Sequence, residues 1–229
     1  MFFPRISAIS FFGWVTSLNL CIVLQCWRTA EAWTPKDIKA EIEKVNIVPD
    51  VLDSAPKRDI EVFEYTKRKV KNGFVSVRIN GTGVDLGDRF NLNDLINPPD
   101  VIEWETQRHG MYTLILSGPD VPSWEEPYER EYHHWMVVNI PGKNWTQGET
   151  IVSYVGAQFA CNPGIHRMVY TILKQPKSKP MQFPGQKSLS EKNHYLERAF
   201  FNTRKFAQKY NMTVWAVNYL IVECCIEST

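Results

Sequence analysis

Residues 117–135 read Ser-Gly-Pro-Asp-Val-Pro-Ser-Trp-Glu-Glu-Pro-Tyr-Glu-Arg-Glu-Tyr-His-His-Trp, a stretch dense in proline, charged and aromatic residues. A second unusual stretch, Gly164-Ile-His-Arg167, follows later in the chain. One histidine of each stretch alternates with apolar residues in a strand-like pattern. His134 alternates with Met136, Val138 and Ile140, and His166 alternates with Met168, Tyr170 and Ile172. We therefore expect both imidazoles on apolar strand faces.

A single histidine on an apolar face is usually a hydrogen-bonded core residue. Two of them, near an Asp120-x-Pro122 turn and a glycine-bounded loop (156–164), indicate a pocket instead. Neutral imidazoles there would each donate a hydrogen bond to a phosphate or carboxylate. Protonated imidazoles would add positive charge, so anion affinity is expected to rise as the pH falls.

Two ordered motifs cover these stretches. The first is Asp120-x-Pro122-Ser123, Pro127, Arg130-Glu131 and His134-Trp135; the second is Gly-x-His-Arg167. Together they resemble the double signature of the phosphatidylethanolamine-binding protein family, also called the Raf kinase inhibitor family. The resemblance continues through most of the chain after residue 47, as in Val48-Pro49-Asp50 and Arg204-Lys205-Phe206-Ala207.

The resemblance implies a mainly β fold, a two-sheet antiparallel β-sandwich with a few peripheral helices. It implies a small pocket for a phosphate-bearing head group or a similar small anion, with no cofactor and no metal. The implied ligand-binding residues are Asp120, Pro122, Tyr132, His134, Gly156 and His166. The implied supporting residues are Arg130, Glu131 and Arg167, with Arg167 paired to a buried carboxylate such as Asp120. Cis peptide bonds are implied before Pro122 and between Arg130 and Glu131.

The chain departs from the family pattern at three places around this pocket. Gly118 replaces the first aspartate of an Asp-Pro-Asp motif, and Met168 replaces an aromatic residue. The loop starting at Gly156 lacks the usual proline pair. Losing one carboxylate favours anions, but the selectivity among head groups does not carry over from the family.

The first 32 residues have the pattern of a cleaved secretory signal. Arg5 precedes a long apolar run, and Ala30-Glu31-Ala32 supplies an Ala-x-Ala cleavage site before Trp33. An uncleaved anchor is the alternative, disfavoured by Asn19 and Gln25 within the run. We predict a secreted protein with a single domain over residues 33–229 and no stable membrane span after cleavage.

Three Asn-x-Thr sequons agree with export: Asn80, Asn144 and Asn211. Three cysteines follow the leader, and the hypothesis is a disulfide from Cys161 to Cys224 or Cys225, since adjacent cysteines rarely pair. Without the leader the chain has 24 basic and 24 acidic residues. This balance argues against a nucleic-acid partner, which requires a basic excess.

Secondary-structure patterns run along the rest of the chain. Thr34-Pro35-Lys36-Asp37 predicts a capped helix that continues to about Val45. Short β-rich segments predict strands at 59–66, 75–79, 112–117, 133–140, 165–173 and 214–222. A helical period is present at 190–210.

Catalysis is disfavoured because the chain has no His-Glu-x-x-His, Cys-x-x-Cys or Gly-x-Ser-x-Gly motif. The alternative functions are an inhibitor of an extracellular protease or another protein-binding regulator, and a carrier of small molecules such as odorants. For the inhibitor, Trp124 and Tyr128 are candidate contacts at the pocket rim, since aromatic residues dominate binding hot spots.

Overall fold

The computed structural model describes residues 34–56, 74–157 and 164–224, all within the unit Trp33–Thr229. The leader, the predicted strand at 59–66 and Cys161 lie outside the described residues. No helix in these ranges has the length and apolar character needed to cross a bilayer.

The first helix forms as its sequence predicts. Helix α1 (Pro35–Lys44) begins with a capping box, in which the Thr34 hydroxyl accepts from the Asp37 amide and the Asp37 carboxylate accepts from the Thr34 amide. Ile38 and Ile42 are its buried residues. A kinked turn, α2 (Ile47–Asp50), follows the helix and carries Asp50.

Within the described ranges, nine strands form two sheets. They are β1 (Ser76–Ile79), β2 (Thr82–Val84), β3 (Asp88–Phe90), β4 (Val101–Glu103), β5 (Met111–Gly118), β6 (Tyr132–Pro141), β7 (Glu149–Val152), β8 (Gly164–Lys174) and β9 (Thr213–Cys224). The small sheet has the order β2-β1-β4, and the large sheet has the order β3-β9-β8-β5-β6-β7. All pairs are antiparallel except β3 with β9. The predicted two-sheet β fold is confirmed.

The main core lies between the two sheets and includes Trp104, Tyr112, Trp135 and Tyr170. The opposite face of the large sheet is also covered, in one part by α1 and in another by helix α4 (Thr203–Lys209). Strand β5 is therefore buried along its whole length. This double cover explains why its sequence is apolar with little alternation.

The sheet topology brings the two sequence motifs together. Strand β5 lies between β6 and β8 and is antiparallel to both. Its carboxyl end, Gly118, therefore lies beside the beginnings of β6 and β8. The residues after Gly118 and the histidines near the starts of β6 and β8 meet at one end of the large sheet.

The predicted face of His134 is wrong because of a β-bulge. Leu116 pairs with Trp135 while Ser117 pairs with His133, so His134 is the extra residue in β6. Met136 and Val138 pack in the cluster beneath α4, whereas His134 lies against Ala157 and Met168 of the inter-sheet core, to which Ile140 also belongs. A bulge reverses the alternation that the prediction assumed. His166 does lie on the predicted face, with Met168.

The helical period at 190–210 forms two short helices rather than one. These are α3 (Tyr195–Arg198) and α4. Between them Phe200 has φ +62°, and its amide donates to the Glu129 carbonyl at 3.0 Å. The backbone of Phe201 exchanges two hydrogen bonds with that of Glu131. Pairing with the loop 119–131 therefore interrupts the helix.

Candidate functional site

A small cavity opens where β5, β6 and β8 meet. Its lining residues are Gly118, Asp120, Val121, His134, Ala157, His166, Arg167 and Met168. Three of the six predicted ligand-binding residues are in this lining: Asp120, His134 and His166. The volume is about 10 Å³, which is room for about one water molecule. A larger group can enter only if lining side chains move, and Met168 is the most flexible of them.

His134 is a neutral hydrogen-bond acceptor toward the cavity. Its Nδ1 lies 3.0 Å from the Val155 carbonyl oxygen, which can only accept, so Nδ1 carries the proton. Burial, followed by the charge of Arg198, lowers the pKa of His134 to about 4 against a raising effect of the Val155 carbonyl. The ring therefore stays neutral at pH 6 to 7.5, and its Nε2 presents a lone pair.

This geometry corrects two expectations about His134. A neutral imidazole whose Nδ1–H is already used cannot donate a second hydrogen bond to a bound anion. Protonation of His134 also cannot raise anion affinity between pH 7.5 and 6, because the ring would charge only near pH 4. Any such pH dependence must come from the ligand or from another group.

Gly118 provides space for this imidazole. A Cβ at position 118 would lie 3.0 Å from His134 Nε2, closer than ordinary van der Waals contact. An aspartate at this position, as in the family pattern, would therefore require the ring to move. The observed position of the His134 ring therefore depends on having glycine at position 118.

A charged cluster of Asp50, Arg130, Asp120 and Arg167 adjoins the cavity, and Asp120 and Arg167 belong to the lining. Arg167 donates from Nε and Nη2 to the two Asp120 oxygens, at 2.9 and 2.6 Å, and from Nη2 to Asp50 at 2.8 Å. Arg130 forms ion pairs with Asp50 and, at 3.8 Å, with Asp120. Burial lowers the pKa of Arg167, but the bonds to Asp120 and Asp50 outweigh it and the pKa is raised. The cluster holds two positive and two negative charges.

Exposed aromatic side chains form the rim. The Trp124 ring lies 4.2 Å from the Arg167 guanidinium carbon, a cation–π contact. Trp124 is 40% exposed and Tyr128 69% exposed, and Leu196 and Phe200 are also exposed nearby. The Tyr195 hydroxyl and the Phe200 amide both bond to Glu129. These contacts bring α3 and the loop 121–131 together as one surface.

Glu131 lies behind the cavity in a buried polar group. Its carboxylate accepts hydrogen bonds from the hydroxyls of Ser117 and Thr203, both at 2.6 Å, and from the Thr203 amide at 2.8 Å. Burial raises the pKa of Glu131 to about 7, and the hydrogen bonds from Ser117 and Thr203 oppose that rise. The peptide bonds Arg130–Glu131 and Val121–Pro122 are both cis, as the resemblance implies.

Arg198 fixes the backbone around His134. Its buried guanidinium donates to the carbonyls of His133 at 2.9 Å, Ser153 at 3.1 Å and Ser190 at 2.6 Å. His133 points to the other face of β6 and stacks on Phe201. Arg198 thereby connects β6, the segment at 153 and the segment at 190.

The other predicted residues lie beside the cavity rather than in its lining. The Tyr132 ring lies 4.7 Å from the His134 ring, Pro122 follows Val121, and Gly156 precedes Ala157. Sequence reasoning missed the bonds of Asp50 to the charged cluster and the role of Arg198. The signal for Asp50 was its place in Val48-Pro49-Asp50; Arg198 has no local motif.

Two other predictions concern groups away from the cavity. Asn80, Asn144 and Asn211 are all exposed, and their glycosylation stays a prediction. Cys224 is disulfide-bonded, and the predicted pairing with Cys161 lies outside the described residues. Within the described ranges, no three His, Cys, Asp or Glu side chains are grouped so that they could hold a metal ion.

Comparison with solved structures identifies the architecture. A phosphatidylethanolamine-binding protein from Plasmodium vivax superposes with a TM-score of 0.60 at 21% identity, over 83% of this chain and 97% of that one. The chain has the phosphatidylethanolamine-binding protein fold. A carboxypeptidase Y inhibitor, solved in complex with its cognate proteinase, has the same fold, with a TM-score of 0.59 at 18% identity over 82% of this chain and 95% of the inhibitor.

Sequence comparison also finds relatives of this chain. A 26 kDa secreted antigen of Toxocara canis is 32% identical over 166 residues, which is 72% of this chain. The match spans 56% of the antigen, little more than half of its length. A Drosophila melanogaster protein named "Putative odorant-binding protein A5" is 27% identical over 177 residues, 77% of this chain and 75% of that protein. No family model matches the chain.

Proposed function

We propose that this chain is a secreted, non-catalytic binding protein whose cavity accepts the phosphate of a small phosphate-bearing head group, such as phosphoethanolamine. The observation that carries the proposal is the convergence of His134, His166, Asp120 and Arg167 on one cavity in a phosphatidylethanolamine-binding protein fold. Export is supported by the leader pattern, by three exposed sequons and by the similarity to a secreted antigen.

The state of His134 specifies which form of the phosphate fits. Because Nε2 presents a lone pair, the ligand must supply the hydrogen-bond donor. A phosphate monoester carries one proton below its second pKa, about 6. Once lining side chains have moved to admit the phosphate, its P–OH can donate to His134 Nε2 while its charged oxygens face Arg167. Affinity then rises as the pH falls, through protonation of the ligand.

Calorimetric titration of the secreted protein tests this proposal. We expect phosphoethanolamine to bind more tightly at pH 6 than at pH 7.5, and glycerophosphoethanolamine, a diester without a P–OH, to show no such pH dependence. His134→Asn should abolish binding, while His109→Asn at an exposed position should not change it. Circular dichroism shows whether each variant is folded. Gly118→Ala is a second variant, which keeps the imidazole of His134 but crowds it, and it should also weaken binding. Failure of the folded wild type to bind either ligand contradicts the proposal.

A second candidate function is docking of a protein partner on the rim. The exposed side chains of Trp124, Tyr128, Leu196 and Phe200 favour it, together with exposed Glu125 and Glu126. Such a surface suits a partner with an apolar patch bordered by basic residues. The proteinase complex of the carboxypeptidase Y inhibitor supports testing a peptidase first.

Inhibition of carboxypeptidase Y by the secreted protein is the corresponding assay. If the rim docks a peptidase, the double variant Tyr128→Ala, Phe200→Ala should weaken inhibition at least about tenfold, since exposed aromatics dominate such interfaces. Ile96→Ala, at an exposed apolar residue of another region, is the matched control. Equal inhibition by both variants, or none by the wild type, argues against this candidate for that enzyme.

A small-molecule carrier is the least supported function. Carriers of apolar ligands need cavities of roughly 300–1,000 Å³ with apolar walls. The cavity at His134 has about 10 Å³, and a larger cavity of about 280 Å³ beside β3 is lined mostly by polar and charged side chains. The name of the Drosophila relative is the observation that keeps this function under consideration.

A further inference from the structure

A second, larger cavity lies between the hairpin β1–β2 and strand β3, and it shares no lining residue with the β5–β6–β8 site. Its volume is about 280 Å³, close to the lower end of the roughly 300–1,000 Å³ typical of small-molecule sites. Its lining residues are Ile79, Asn80, Thr82, Asp88, Arg89, Phe90 and Asp94. We call it the hairpin groove. Both functional residues of the first sequon, Asn80 and Thr82, belong to it.

The side chain of Asn80 is held over this groove. Asn80 and Gly81 form a tight turn with φ +48° and +78°, which suits the two central positions of a two-residue hairpin. The Gly81 amide donates to Asp100 at 2.9 Å, and Arg78 donates to the Gly81 carbonyl at 3.0 Å. Asn80 Nδ2 donates to Asp94 Oδ1 at 3.4 Å. An N-linked sugar replaces one hydrogen of Nδ2, which leaves the other hydrogen available to donate to Asp94.

The lining has the chemistry that recognises a sugar. Phe90 is partly buried against the inter-sheet core and offers an apolar ring for the C–H face of a pyranose. Asp88 and Asp94 offer carboxylate acceptors for hydroxyl and N-acetyl N–H groups. Arg89, paired with Glu223 at 2.9 Å, offers a guanidinium at the groove edge. Hydrogen bonds to charged side chains are stronger than those between neutral groups.

We propose that the first sugar of an N-linked glycan on Asn80 occupies the hairpin groove and packs against Phe90 and Asp94. The proposal rests on the export proposed above, because only an exported chain is glycosylated. It sets Asn80 apart from the other sequons, since Asn144 and Asn211 do not line the groove. The bound sugar would cover the junction between the two sheet edges.

Site-resolved deglycosylation of the secreted full chain tests the groove. Peptide N-glycosidase cleaves the bond between asparagine and the first sugar, so a sugar held in the groove must leave it before release. We expect release from Asn80 in the native protein to be at least about tenfold slower than from Asn144 and Asn211, because it requires local opening. After denaturation in urea the three rates should be equal. Glycopeptide mass spectrometry measures each site in the same sample.

Removal of the sequon gives a second readout. Thr82→Ala prevents glycosylation without altering Asn80, and we expect it to lower the Tm of the secreted protein by about 2–4 °C. Thr82→Ser keeps the sequon and should leave Tm unchanged, and Thr213→Ala removes a sequon outside the groove. Equal release rates at all sites in the native protein, or an unmodified Asn80 beside glycosylated Asn144 and Asn211, would overturn the groove proposal. A chain that stays inside the cell without any sugar contradicts the proposed export instead.

Discussion

At position 118, the missing side chain decides how the candidate site is built. Gly118 lets the His134 ring approach the end of β5, where a Cβ would lie 3.0 Å from Nε2. The bulge in β6 directs that ring into the cavity, and the Val155 carbonyl fixes which nitrogen carries the proton. Gly118, the bulge in β6 and the Val155 carbonyl together place a neutral imidazole in the site, with Nε2 as its hydrogen-bond acceptor.

Substitution of Gly118 is expected to disturb both stability and binding. Gly118→Ala should lower the free energy of unfolding by about 1–3 kcal/mol, the usual cost of overpacking, and should weaken phosphoethanolamine binding. Urea denaturation measures the first effect and calorimetry the second. Gly83→Ala is the control, because a Cβ there meets no atom within 4 Å. Equal stability of the two variants would show that His134 adjusts freely.

Burial of Glu131 predicts a pH-dependent stability difference. Its pKa is raised to about 7 in the folded protein, so the unfolded chain ionises first as the pH rises. The wild type should therefore lose stability relative to Glu131→Gln between pH 4.5 and about 7, by up to about 3 kcal/mol. Parallel urea titrations at pH 5 and pH 8 measure this change, with exposed Glu126→Gln as control. A pH-independent difference between wild type and Glu131→Gln contradicts it.

Sequence reasoning at the residue scale succeeded where alternation is regular. His166 lies on the face shared with Met168, as its strand pattern predicts, and Arg167 pairs with Asp120. The face of His134 was wrong because one inserted residue reverses the alternation and no local pattern announces a bulge. Asp50 and Asp120 are separated by 70 positions in the chain, so their shared contacts with Arg130 and Arg167 follow only from the fold.

At the scale of elements, the long strands were predictable, whereas the short strands β2, β3, β4 and β7 and the connections between strands were not. Each strand that positions the cavity is close to its predicted limits, because β-branched and aromatic residues suit a pleated, buried surface. The helix at 190–210 is interrupted because Phe200 and Phe201 pair with Glu129 and Glu131 of a distant loop. Helix propensity depends on neighbouring residues only, and the hydrogen bonds to this distant loop outweigh it.

Substitution of Arg198 tests how much the contacts between connecting segments contribute to stability. Its guanidinium joins β6 to the segments at 153 and 190 by several hydrogen bonds to carbonyls, a geometry that an ammonium cannot reproduce. We expect Arg198→Lys to lower the free energy of unfolding by about 2–3 kcal/mol and to weaken phosphoethanolamine binding. Urea denaturation with an unchanged m-value checks the first effect. Arg204→Lys, on a partly exposed side chain, is the control.

At the scale of the whole molecule, the two-sheet fold has two separate cavities that are candidate binding sites. The end of the large sheet holds a cavity with neutral imidazole and a balanced charged cluster, and the hairpin groove holds the first sequon. The fold class was predictable because a long, ordered set of motifs covers most of the chain. The volumes of the cavities were not, since they depend on how side chains from several elements pack.

The claim that phosphate binds at His134 can be measured at that imidazole. Nitrogen NMR of ¹⁵N-histidine-labelled secreted protein, titrated with phosphoethanolamine at pH 6, reports the protonation and hydrogen bonding of each ring nitrogen. We predict that His134 Nδ1 stays protonated, while the Nε2 resonance moves upon saturation as it accepts the P–OH. A saturable titration that leaves both His134 nitrogens unchanged, or no saturation at all, would contradict binding of phosphate at this site.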